Sequence, residues 1–162
     1  MRPRVLTGAI LIWAGTAAIL FAAVMGLCTA VPRIMGLEPY AVVSGSMSPA
    51  IPVGAMVYVR PCEAAYLEPG TAAAFFDRSG NVVVHRVVSN DAETGEIVTK
   101  GDANDMPDPV PVPYIHVIGA VTGHVPFLGF PAMAGRFWIC MAAVAGGVAR
   151  AAGSRLRRPG LV

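Results

Sequence analysis

From Val5 to Val31 the chain carries no charged residue and no proline. A helix crosses the hydrocarbon core of a bilayer with about 20 apolar residues, so this stretch predicts a transmembrane helix. A cleaved secretory signal has an apolar core of only about 7–15 residues, and the expectation here is a retained span. A lipoprotein anchor on Cys28 would call for a small residue before it, where the chain has Leu27. A second stretch, Val125 to Val148, is apolar apart from Arg136. A central arginine opposes insertion by about 2.5–3.5 kcal/mol. Phe137, Trp138, Ile139, Met141 and Val144 act against that cost, and a second span over 126–149 is expected. The competing reading is an interfacial or helix-packed segment.

Between these ends the pattern shortens. Ten of the fourteen prolines lie between Pro32 and Pro113, which argues against long helices. Runs rich in valine, aromatics or threonine predict strands at Tyr40–Ser44, Met56–Arg60, Thr71–Phe76, Asn81–Val88, Glu96–Lys100 and Tyr114–Val121. Ser79-Gly80-Asn81 reads as the turn of a hairpin, and Asn90–Gly95 as a second polar turn. The alternating Pro107, Pro109, Pro111 and Pro113 suit an extended loop. The expected fold is mainly β. It comprises a small β-rich domain over 32–125, an N-terminal helix over 5–31 and a C-terminal helix over 126–149, with 1–4 and 150–162 as short basic ends.

Composition agrees with a partly lipid-embedded chain: 55% of residues are hydrophobic and only 14% charged, against about 25% charged in ordinary soluble domains. All ten acidic residues lie between Glu38 and Asp108. Seven of the twelve bases lie at the ends: Arg2, Arg4, Arg136, Arg150, Arg155, Arg157 and Arg158. The positive-inside rule then places both termini in the cytoplasm and the acidic middle on the far side of the cell membrane. A nucleic-acid binder would concentrate its bases on the folded part, so no nucleic-acid partner is expected. Cys62 is the one cysteine of the middle segment, which excludes a disulfide within it.

Three clusters in the middle carry candidate chemistry. In Ser44-Gly45-Ser46-Met47-Ser48-Pro49, a glycine lets the backbone take conformations other residues avoid, which suits a serine held at a strand end beside free N–H groups. In Val82-Val83-Val84-His85-Arg86, burial among valines would keep a histidine neutral and basic. His116 and His124 are the other histidines, with no acid near them in sequence. In Lys100-Gly101-Asp102-Ala103-Asn104-Asp105-Met106-Pro107-Asp108, the aspartates read first as a solvated turn. Their spacing does not fit a calcium loop, and no metal or cofactor is expected. Each aspartate could orient a histidine. Serine, histidine and aspartate in that order are the parts of a catalytic triad.

The same three clusters resemble the ordered boxes of the signal peptidase I family. The likeness covers roughly Tyr40 to Pro126, and Pro126-Phe127-Leu128-Gly129-Phe130 is similar to the family's lead into a C-terminal span. Common bacterial members carry a lysine directly before an arginine. Here His85 precedes Arg86, which resembles the histidine branch known from the endoplasmic reticulum, archaea and some Gram-positive bacteria. One departure stands out: Ala103 occupies the first of two positions after Gly-Asp that are usually asparagine.

The resemblance implies a small signal-peptidase-like β domain and a membrane serine endopeptidase that removes signal peptides from exported pre-proteins. Ser46 would be the nucleophile and His85 the general base. Asp108 would orient His85, with Asp102 in reserve or as a second structural contact. The Ser46 N–H and the Ser44 hydroxyl would hold the oxyanion. The implied partners are signal peptides, membrane lipid and the secretion machinery. Two other readings remain open: a Ser46–Lys100 dyad, and a tethered β module (or inactive homologue) that only binds exported proteins.

Overall fold

The computed structural model describes residues 3–133 and 136–157. Arg2 and Arg158, which enter the topology expectation, lie outside the described residues. So do the side chains of Arg4, Arg136, Cys140 and Arg157. The chain divides into two compact units. One contains α1 as far as Ala30 together with α3, and the other is Val31–Phe130.

α1 runs over Pro3–Ile34. The stretch Leu6–Ile34 is long and apolar enough to cross a membrane, alone in this among the described residues. Its 29 residues would rise about 43 Å as a helix, more than the hydrocarbon core of about 30 Å. Thr16 and Thr29 return their hydroxyls to the carbonyls of Ile12 and Met25, which satisfies polar groups that an apolar surrounding would penalise. The helix outruns the expected end at Val31. Pro32 sits in its last turn, and the stop comes at Gly36. There the left-handed backbone (φ 75°) lets Leu37 N–H bond to Pro32 O and Gly36 N–H to Arg33 O, a Schellman closure that favours glycine.

The second expected span takes a different form. The chain leaves the sheet at Val125, makes the short helix α2 over Gly129–Met133, and then forms α3 over Arg136–Arg157. α3 is 22 residues long and extends into the expected basic tail. The side chains of 136–142 lie outside the described residues, so the apolar part of the expected second span is not described. Within their unit α1 and α3 meet along buried glycines. A Cβ on Gly15 would lie 2.3 Å from the Gly146 carbonyl, and one on Gly153 would lie 2.6 Å from that of Gly8. The pairing is antiparallel, and Arg150 Nη1 donates to Thr16 Oγ1 at 2.7 Å.

The other unit is a seven-stranded antiparallel sheet. Its strands are β1 (Glu38–Ala41), β2 (Met56–Pro61), β3 (Ala72–Phe76), β4 (Val82–Asp91), β5 (Glu96–Lys100), β6 (Val112–Pro113) and β7 (Val117–Val125). The order across the sheet is β1-β2-β7-β3-β4-β5-β6. Strand side chains alternate between faces, and cores form on both. Met47, Ile51, Val57, Val59 and Ala74 make one. Leu67, Ala73, Phe75, Val87 and Ile97 make the other. The β expectation therefore holds for this unit. Over the whole described chain, helix is a larger component than strand.

β4 is paired unevenly along its length. Val82–Arg86 pairs with β3, whereas β5 joins the other side only from Arg86 onward. Among the described residues Val82–His85 thus has a free outer edge, and β1 at the end of the sheet has another.

Candidate active site

Ser46 lies in the turn between β1 and β2. Met47, 2% exposed, plugs that turn into the core, while Ser46 itself is half-buried. The Ser46 carbonyl accepts the Ala103 N–H at 2.8 Å, so the Gly101–Asn104 turn grips the backbone of the candidate nucleophile. A Cβ at Gly101 would stand 2.7 Å from that same carbonyl, so this close approach requires glycine. The grip is made by a backbone N–H, which alanine at 103 supplies as well as asparagine. Gly45 behaves otherwise than expected. Its backbone is not left-handed, and a Cβ there would meet only Ser48 and Val53, at 3.7 and 3.8 Å. Neither conformation nor space demands glycine at 45.

His85 is 9% exposed on β4, with its ring edge-on to Phe75 at 6.2 Å between centroids. Its Nδ1 meets Asp108 Oδ2 at 2.6 Å. Arg86, the next residue, points to the opposite face and takes the other acid: its Nε and Nη2 donate to the two Asp102 oxygens at 2.8 and 2.6 Å. Arg86 Nη1 also holds the Gly70 carbonyl at 2.7 Å. The Arg86 hydrogen bonds hold the Asp102 carboxyl below its usual range, against a smaller opposing effect of burial. Thus Asp108 lies on His85, and Asp102 is a structural contact that braces the turn behind Ser46.

Ser44, Ser46 and His85 line one cavity of about 500 Å³, with Tyr40–Val43 on one wall and Asn81–Val84 on another. The two free strand edges therefore border the same space. The Ser44 and Ser46 hydroxyls are 3.4 Å apart. Among the described residues no hydrogen bond joins Ser46 to His85. In unliganded sites such bonds are commonly long and tighten on substrate binding. Tyr40 donates to Glu38, and burial, reinforced by that carboxylate, pushes its phenol up to about 12, so it stays neutral at the cavity wall. Lys100 does not line this cavity. His116 borders a separate one, and His124, on β7, pairs with Val57 of β2. No group of three metal-ligating side chains occurs among the described residues.

Thr99 is the residue that sequence reading missed. It is fully buried, and its Oγ1 donates to Asp108 Oδ2 at 2.5 Å. The signal was present in the strand. Period two puts Thr99 on the inner face of β5 with Ile97, and a hydroxyl on a buried face needs a partner.

Compared with known proteins, the chain matches no family model and no curated protein.

Proposed function

We propose that this chain is a membrane-bound serine endopeptidase that removes signal peptides from exported pre-proteins. The carrying observation is that Ser46 and His85 line one cavity while the other imidazole nitrogen of His85 is held by Asp108. In this reading Ser46 Oγ attacks the scissile carbonyl as His85 Nε2 takes its proton. The Ser46 N–H and Ser44 hydroxyl stabilise the oxyanion. His85 then returns the proton to the leaving amine, and water, activated in turn by His85, releases the acyl group. The fixed Nδ1 contact leaves Nε2 as the basic nitrogen, the arrangement this chemistry needs.

The free edges of β1 and β4 support a peptide substrate. An extended chain laid between them can hydrogen-bond to exposed backbone and present alternate side chains to the cavity. Met47, Ile51 and Val84 on its walls favour small apolar side chains, in keeping with the Ala-x-Ala preference that the resemblance implies. α1 tethers the enzyme at the membrane, where signal peptides emerge. α3 is the second membrane helix in this proposal. Its register against α1, Gly8 with Gly153 and Gly15 with Gly146, brings Arg155 level with Leu6, so the basic ends of both helices share the cytoplasmic side. The partners are signal peptides, lipid and the secretion machinery, and no cofactor takes part.

The test is processing of a co-expressed pre-protein by Ser46→Ala, His85→Ala and wild-type forms. Mature product is expected from the wild type alone. Normal processing by Ser46→Ala would overturn the proposal.

A further inference from the structure

Thr99 takes no part in the proton transfers above, yet it touches the group that directs them. Its hydroxyl and His85 Nδ1 share one oxygen, Asp108 Oδ2, at 2.5 and 2.6 Å. Its carbonyl also accepts the Asp108 N–H at 2.7 Å. Thr99 therefore holds Asp108 at two points, backbone and carboxylate, from a side chain with no solvent exposure. Asp108 otherwise belongs to an irregular, proline-rich stretch between β5 and β6, which by itself would leave its carboxylate free to turn.

A hydroxyl carries one proton. With that proton directed at Oδ2, the oxygen serves as an acceptor, and the bond to His85 is made by the imidazole Nδ1–H. The lone pair then resides on Nε2, the tautomer a base for Ser46 requires. We propose that Thr99 is a positioning residue. Its hydroxyl locks the Asp108 carboxylate as an acceptor and so selects the His85 tautomer that can take the Ser46 proton. The assignment rests on the peptidase reading.

Thr99→Val keeps the shape and removes the hydroxyl. In the full-length protein reconstituted in lipid and cleaving a purified pre-protein, kcat is expected to fall about tenfold or more, the equivalent of one hydrogen bond to a charged acceptor. KM should change less than about twofold, since the contact acts on chemistry rather than binding. Thr99→Ser restores the donor and should recover kcat to within about threefold of wild type. Unchanged kcat in Thr99→Val, or no recovery in Thr99→Ser, overturns the assignment. If Thr99→Val fails to fold, Thr99→Cys replaces it, because a thiol is a weak donor. Serine should then exceed cysteine by about fivefold in kcat, and equal rates overturn the assignment. Undiminished cleavage by Ser46→Ala would instead overturn the peptidase reading itself, so the two failures are distinguishable.

Discussion

His85 and Arg86 are neighbours on β4 that face opposite ways, and each takes its own acid. That separation gives Asp108 and Asp102 different expected phenotypes. Asp108→Asn should leave a folded protein whose kcat falls by about 10³–10⁴, as when the acid of a triad is neutralised. Asp102→Asn should retain most activity and lose stability instead. The sign of its pH dependence follows from the Arg86 hydrogen bonds, which lower the Asp102 carboxyl from its ordinary 3.8. A carboxylate depressed in the folded state contributes stability above its unfolded value, and that contribution is lost as pH falls through the folded one. Asp102→Asn should therefore be less stable than wild type near neutrality, with the gap narrowing below about pH 4. Thermal unfolding across that range checks this, and a gap that stays constant would contradict it. Ser46 and His85 were legible as candidates because each carries its chemistry in its own side chain. Three aspartates stood in the third place, the resemblance alone put Asp108 first, and only the folded chain sets Asp108 on His85 and Asp102 on Arg86. Thr99 was not, because its role exists only once β5 turns it inward onto a residue nine positions away. Gly45 was misread: the glycine that tight packing demands is Gly101, against the Ser46 carbonyl.

At the scale of elements, residue type located β2 and β5 almost to the residue, since both are short runs of strand-favouring side chains that bury Val57 and Val59 in one and Ile97 and Thr99 in the other. It missed β6, the two-residue strand Val112–Pro113 at the end of a proline-rich loop, which is defined by its pairing with Glu96 and Ile97. It also began β7 too early, because Tyr114–His116 forms a 3-10 turn first. That turn is tied down by Asn90, whose Nδ2 donates to the carbonyls of Ala64 and Leu67 at 2.9 and 2.8 Å. Its Oδ1 accepts the Tyr114 hydroxyl. One side chain thus joins β4 to two irregular segments. Asn90→Ala would leave all three partners unmatched and should destabilise the sheet unit by about 2–3 kcal/mol, measured by urea unfolding. A loss below about 0.5 kcal/mol, the range of a neutral surface change, would contradict that role.

At the scale of the whole molecule, the apolar run of α1 was plain in the sequence, while the seam between α1 and α3 was not. Hydropathy does not say which faces of two helices meet, and only the packing of Gly146 and Gly153 against α1 shows where they do. Small residues let helix backbones approach closely in lipid. Gly146→Leu should therefore separate the pair, seen as a several-fold loss of cross-linking between cysteines introduced at Ile12 and Ala149 in a background without native cysteines. Unchanged cross-linking would show that the seam does not hold the helices together. The central claim remains the nucleophile at Ser46. It is tested most directly with purified full-length protein in lipid, a purified pre-protein, and sequencing of the new N-terminus. The wild type should cut at one site after a small residue, and Ser46→Ala should give no product. The same product from Ser46→Ala would contradict the account.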